Sequence, residues 1–215
     1  QHAGAIVCGN ALRLDWEKIL PHKKDDEVYL FGNPPYLGSH GAKQKKTHKE
    51  DMKVVFANLS GNYKGLDYIS GWFMLGAEYI NNTKATLAFV ATSSITQGQQ
   101  VFDLWNKILD LNIEISFCWE PFTWNNNAKN NAKVTVNIIG LTSLKKANNK
   151  RIYTDNSFNN TFEKVDNISP YLTDHSTIFI KSIGSSISNL PEMDMGDMAN
   201  DGGNKAPGLL FTIDE

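Results

Sequence analysis

Apolar residues in this chain fall into two spacings, and together they lay out an alternation of strands and helices. Residues 28–31 (Val-Tyr-Leu-Phe) and 86–92 (Thr-Leu-Ala-Phe-Val-Ala-Thr) are nearly unbroken apolar runs. Such runs predict strands covered on both faces of a sheet. Residues 5–8 (Ala-Ile-Val-Cys) predict another short strand, closed by Gly9 and Asn10. Elsewhere the period lengthens. Leu66, Ile69, Trp72, Phe73, Ala77 and Ile80 predict an amphipathic helix of about four turns, with Asp67 placed to favour its positive end. Val101, Leu104, Trp105, Ile108 and Leu109 predict a second helix, and Asp15 to Leu20 a helical turn stopped by Pro21. Two β-rich runs, 113–119 and 134–141, flank an Asn- and Lys-rich connection over 125–133. The series predicts an α/β fold: a mostly parallel, doubly wound sheet with an antiparallel hairpin at one edge.

Beyond about residue 144 Asn, Ser, Lys and Asp dominate, and apolar residues shrink to pieces such as Ile152-Tyr153 and 177–180. Pro191-Glu192-Met193 and Asp201-Gly202-Gly203-Asn204 are turn-rich linker elements. The change predicts a domain over residues 1–145 and a transition into a second one over 146–215. Gln1-His2-Ala3-Gly4 offers neither an initiator Met nor the basic and apolar regions of a secretory signal, and reads as a cut inside a longer protein. Nothing approaches a transmembrane helix, so no membrane role is expected.

Composition adjusts this picture in two places. The two cysteines, Cys8 and Cys118, each lie in an apolar stretch and read as core fillers of a cytosolic protein rather than a disulfide or metal pair. The formal net charge of −2 lacks the basic footprint usual for nucleic-acid enzymes. One segment departs from it: Lys43, Lys45, Lys46, Lys49 and Lys53 crowd residues 40–53. That run reads either as a solvated loop and helix start or as a phosphate-facing flap.

The candidate chemistry lies just before those lysines. Asn33-Pro34-Pro35-Tyr36 directly follows the apolar run at 28–31. This places an amide, a proline-locked backbone and an aromatic ring at the carboxyl edge of a sheet, where open α/β folds put their sites. The Asn33 side-chain oxygen and the Pro34 carbonyl suit the two hydrogens of an exocyclic amine. Accepting both favours a pyramidal nitrogen and stabilises the positive charge that develops on attack. Orientation supplies much of the remaining rate, and Tyr36 offers a face for a base lifted out of its duplex. Such chemistry needs no metal.

The tetrapeptide resembles that of S-adenosylmethionine-dependent amino-methyltransferases, above all DNA adenine-N6 enzymes; protein glutamine-N5 and some RNA guanine-N2 methyltransferases carry similar ones. A wider ordered series narrows the resemblance. It comprises Gly9-Asn10-Ala11-Leu12 with Asp15-Trp16, the segment 32–38, Leu66-Asp67-Tyr68, the segment 94–98, Phe122-Thr123-Trp124 with Asn127-Ala128-Lys129, the segment 168–172, and the pair 191–193 and 201–203. Together these resemble single-chain type IIG (type IIL, Mme-type) restriction-modification enzymes, which join a nuclease, a gamma-class adenine methyltransferase and a target-recognition domain.

The resemblance covers essentially the whole chain. It implies a partial Rossmann-like class I methyltransferase fold, with residues 1–145 as its catalytic half and 146–215 leading into target recognition. It also implies S-adenosylmethionine as cofactor, and double-stranded DNA and the remainder of a bacterial cytoplasmic polypeptide as partners. Asn33, Pro34, Pro35 and Tyr36 would be catalytic, Asn10 and Ala11 would meet the cofactor's adenine, and Phe122 would pack on the extruded base. Lys129 would meet phosphate. No metal is implied here, since Mg belongs to the nuclease part.

One departure stands out. The glycine-rich cofactor loop after the first strand is missing, as is the acidic residue for the ribose, and Gly38-Ser39-His40-Gly41 follows the wrong strand. The expectation is weak or no cofactor binding and no methylation by this chain alone. A glutamine-N5 methyltransferase and a degenerate fold serving as a DNA-binding scaffold stand as alternatives.

Overall fold

A computed structural model describes residues 6–35, 46–59, 62–124, 134–143, 149–154 and 161–181. Six strands form one sheet in the order β1-β2-β4-β3-β5-β6. Strand β1 (Tyr29–Gly32) runs parallel to β2 (Thr86–Thr92), with Gly32 opposite Phe89. Between them the chain forms α2 (Lys46–Val55) and α3 (Ser70–Ile80), after the single-turn α1 (Trp16–Ile19) capped by Asp15.

The apolar period foreseen for α3 is what docks it. Phe73, Met74, Ala77 and Ile80 are fully buried, and the Phe73 ring meets Phe89 of β2 edge-on at 5.5 Å. Gly76 permits this close approach, because a Cβ there would overlap the Leu87 side chain. After β2 the chain coils through α4 (Gly98–Gln100), a π turn (Val101–Trp105) and α5 (Asn106–Asp110). Trp105 is buried in the core, and its indole N–H donates to the Ile95 carbonyl at 2.7 Å, so a large apolar body is buried with its polar end satisfied.

Strands β3 (Ile113–Trp124) and β4 (Val134–Ser143) form an antiparallel pair. β4 lies between β2 and β3, antiparallel to both. β5 (Lys150–Tyr153) then adds parallel to β3, and β6 (Phe162–Val165) antiparallel to β5. Strands β1, β2, β3 and β5 therefore point one way and β4 and β6 the other. This is the mixed, mostly parallel α/β sheet of a Rossmann-like fold. The hairpin lies inside it rather than at an edge, because the short apolar piece around Ile152-Tyr153 pairs outside β3.

Two further expectations change. Residues 6–8 form no strand: Ile6 is 99% exposed and Cys8 is exposed, whereas Cys118 is buried. β1 forms but is not covered on both faces, with Tyr29 65% and Phe31 80% exposed. Its one neighbour among the described strands is β2, so apolar composition alone did not set its burial. Of the apolar piece at 177–180, Phe179 packs against Phe102. Among the described residues no helix is long and apolar enough to cross a membrane.

Candidate functional site

The carboxyl ends of β1, β2 and β3 share one edge of the sheet. β1 delivers Asn33, exposed, then Pro34, buried, and Pro35, exposed. Tyr36 lies outside the described residues. On β4, Val136 is flanked by Thr92 of β2 on one side and Phe122 of β3 on the other, so Phe122 sits level with the end of β2. Three strand spacings, roughly 14 Å, separate β1 from β3. Phe122 is 9% exposed and packs against Trp124 at 6.3 Å between ring centroids. Asn33 to Pro35 and Phe122 thus lie toward the same end of the sheet, three strand spacings apart, while Lys129 lies outside the described residues.

Behind this edge is a polar floor that the sequence reading missed. The buried Asp67 carboxylate accepts hydrogen bonds from the Ser94 hydroxyl at 3.0 Å and the Thr92 hydroxyl at 3.3 Å. Its own backbone N–H donates to the Gln100 side chain at 2.9 Å. Asn137, fully buried on β4, donates to the Thr96 hydroxyl at 3.5 Å, and its carbonyl oxygen has no partner. Among the described residues the buried Ser70 and Ser93 hydroxyls are likewise without partners, as are side-chain atoms elsewhere in the fold such as those of Asn81 and Thr142. The signal was present in the sequence: one Asn inside an apolar run, and a Thr-Ser-Ser sequence ending a buried strand.

Asn10 caps a 3-10 turn, Ala11–Arg13, its side-chain oxygen accepting from the Leu12 N–H at 3.0 Å. Its amide nitrogen donates at 2.9 Å to Asp51, a buried residue of α2. The same carboxylate accepts from the Tyr68 hydroxyl at 2.7 Å and from Arg13 Nε at 2.5 Å. Burial pushes the Asp51 pKa up, but the three donors outweigh it and hold the carboxyl below its usual value. Burial, and then the Asp51 charge, push the Tyr68 hydroxyl up. The Ala11 carbonyl accepts from the Trp16 indole at 2.8 Å. Asn10 is exposed and its oxygen keeps one lone pair, so the turn at Asn10 and Ala11 is held in place with an acceptor left over. Among the described residues no cluster of His, Cys, Asp or Glu could hold a metal.

Residues 1–154 match the family described as the MmeI DNA-methyltransferase domain. The chain belongs to this family. It is similar to DNA methyltransferase A of Bacillus subtilis (strain 168), 49% identical over 213 residues that make up 99% of this chain and 23% of the relative. It is also similar to the solved structure of the type IIL restriction-modification enzyme MmeI in complex with DNA. There the TM-score is 0.80 at 38% identity, over 92% of this chain and 26% of that one. This MmeI-type domain therefore spans about a quarter of the length of each relative.

Proposed function

We propose that this MmeI-type chain carries the catalytic edge of a DNA adenine-N6 methyltransferase within a restriction-modification protein. The observation that carries the reading is the Asn33-Pro34-Pro35 segment directly after β1, at the same carboxyl end of the sheet toward which β3 carries Phe122. S-adenosylmethionine, which membership in a DNA-methyltransferase family implies, supplies an electrophilic methyl group when bound.

The chain's own residues do the rest. The Asn33 amide oxygen and the Pro34 carbonyl accept the two N6 hydrogens, and the positive charge that develops on nitrogen is stabilised where it forms. Prolines at 34 and 35 hold those acceptors still, so little reorganisation is needed during attack. Tyr36 and Phe122 pack on the extruded adenine. Asn10 and Ala11 hold the cofactor's adenine, and Lys129 meets a phosphate. Residues 1–145 act as the catalytic half and 146–215 lead toward target recognition.

Without a glycine-rich cofactor loop or an acidic ribose ligand, the chain alone binds the cofactor weakly or not at all. Duplex DNA is the substrate of the longer protein, and any Mg requirement belongs to its nuclease part. The test incubates the longer protein, and this chain beside it, with isotope-labelled S-adenosylmethionine and duplex DNA. Label in N6-methyladenosine from the longer protein only is the expected result. With Asn33→Ala, transfer should fall about a hundredfold or more while DNA affinity changes little. Label on protein glutamine would refute the DNA reading, and transfer by this chain alone would refute the dependence on the rest.

A further inference from the structure

A cavity of about 370 Å³ opens beside α2, ringed by Lys46, Lys49, Lys53 and Lys64, with Glu50 the one acid on its wall. Among the described residues none of these lysines is ion-paired with a carboxylate. Four cations around one concavity, in a chain of net charge −2, make a local field that the overall balance conceals. The lining is not purely ionic. The half-buried Tyr63 ring stands in it, held parallel to Phe56 with centroids 5.9 Å apart, and Met52 and Leu66 line its apolar part. A fixed ring beside clustered ammonium groups suits an anion carried on a small apolar body, as a phosphate is carried on deoxyribose.

Leu66 is joined to Asp67, whose carboxylate holds Thr92 and Ser94 at the carboxyl end of β2, so the cavity wall and that end of the sheet share one segment of chain.

We infer that this cavity takes a backbone phosphate of duplex DNA, its sugar against Tyr63. The inference rests on the DNA-methyltransferase reading and adds a contact that reading does not contain. Such a contact is sequence-independent and releases counterions.

The experiment uses the longer protein carrying Lys49→Gln with Lys53→Gln, and measures duplex-DNA affinity over a salt series. Losing one phosphate contact should flatten the slope of log affinity against log salt by about 0.9. Affinity for S-adenosylmethionine without DNA should not change. An unchanged slope in a protein whose wild type still methylates DNA overturns the inference alone. Loss of cofactor affinity with an intact slope overturns it in favour of the cofactor's carboxylate as the anion. A wild type that neither binds nor methylates DNA removes the functional reading and this inference with it. Parallel urea unfolding identifies a variant that has lost its fold, and Lys64→Gln, on a different element, then repeats the slope measurement.

Discussion

Replacing Asp51 with alanine should cost more stability than any single surface change, and the structure sets the size. Asp51 is 1% exposed and accepts from three donors. The Tyr68 hydroxyl is buried, and without its acceptor it would carry a desolvation penalty of about 1–3 kcal/mol. Asn10 is exposed and rehydrates on losing its partner, so that bond contributes about 0.5–1 kcal/mol. Arg13 is half exposed, and screening by water leaves little for the ion pair despite the 2.5 Å contact. The total is about 1.5–4 kcal/mol, to be read from urea unfolding of this chain. Tyr68→Phe removes the buried donor and should cost about 1 kcal/mol alone, and much less in the Asp51→Ala background. The pH dependence has a definite sign. The folded carboxyl titrates below its unfolded value of about 3.9, so its contribution is full above that pH and is lost as pH falls through the lower folded value. A loss below 0.5 kcal/mol, or additive single and double variants, would refute the claim that this carboxylate ties the Asn10 turn to α2 and the start of α3.

Gly76→Ala tests the packing of α3 on β2. Helix propensity alone would gain about 1 kcal/mol, but overlap with Leu87 should turn this into a net loss of about 1–3 kcal/mol in the same unfolding assay; a stabilised variant would refute the close approach. The two cysteines should differ in reactivity. Burial, and then Glu120, push the Cys118 thiol up to about 12, so at neutral pH a thiol reagent should label exposed Cys8 quickly and Cys118 only after denaturation. Rapid labelling of both in the native state would place Cys118 outside the core.

Much of the fold was legible because its signals are local. The runs at 86–92 and 134–141 and the three-four spacing from Leu66 to Ile80 each specify an element within a short window, and each element formed. What failed depended on neighbours. Residues 28–31 and 6–8 are both apolar, yet among the described residues one is an exposed end strand and the other no strand, because pairing is decided by distant chain. Cys8 and Cys118 diverge for the same reason. At the candidate site, Asn33 was legible from its tetrapeptide, while the Asp51 cluster was not. Asn10 and Asp51 are 41 residues apart, and a lone Asp among lysines reads as a solvated helix charge. Phe122 could be placed because it ends a strand, but its alignment with Thr92 needed the register across β4.

The weak lateral support of β1 bears on mechanical stiffness. The segment proposed to hold two acceptors against a reacting nitrogen is mounted on four residues that, among the described residues, pair along one side only. Amide protons of such a strand exchange earlier than those of β2, and its small openings displace Asn33 by the fraction of an ångström that attack geometry cannot tolerate. Any neighbour that pairs along the open side of β1 would therefore raise the rate of methyl transfer without touching cofactor or DNA, by stiffening the mount of the acceptors.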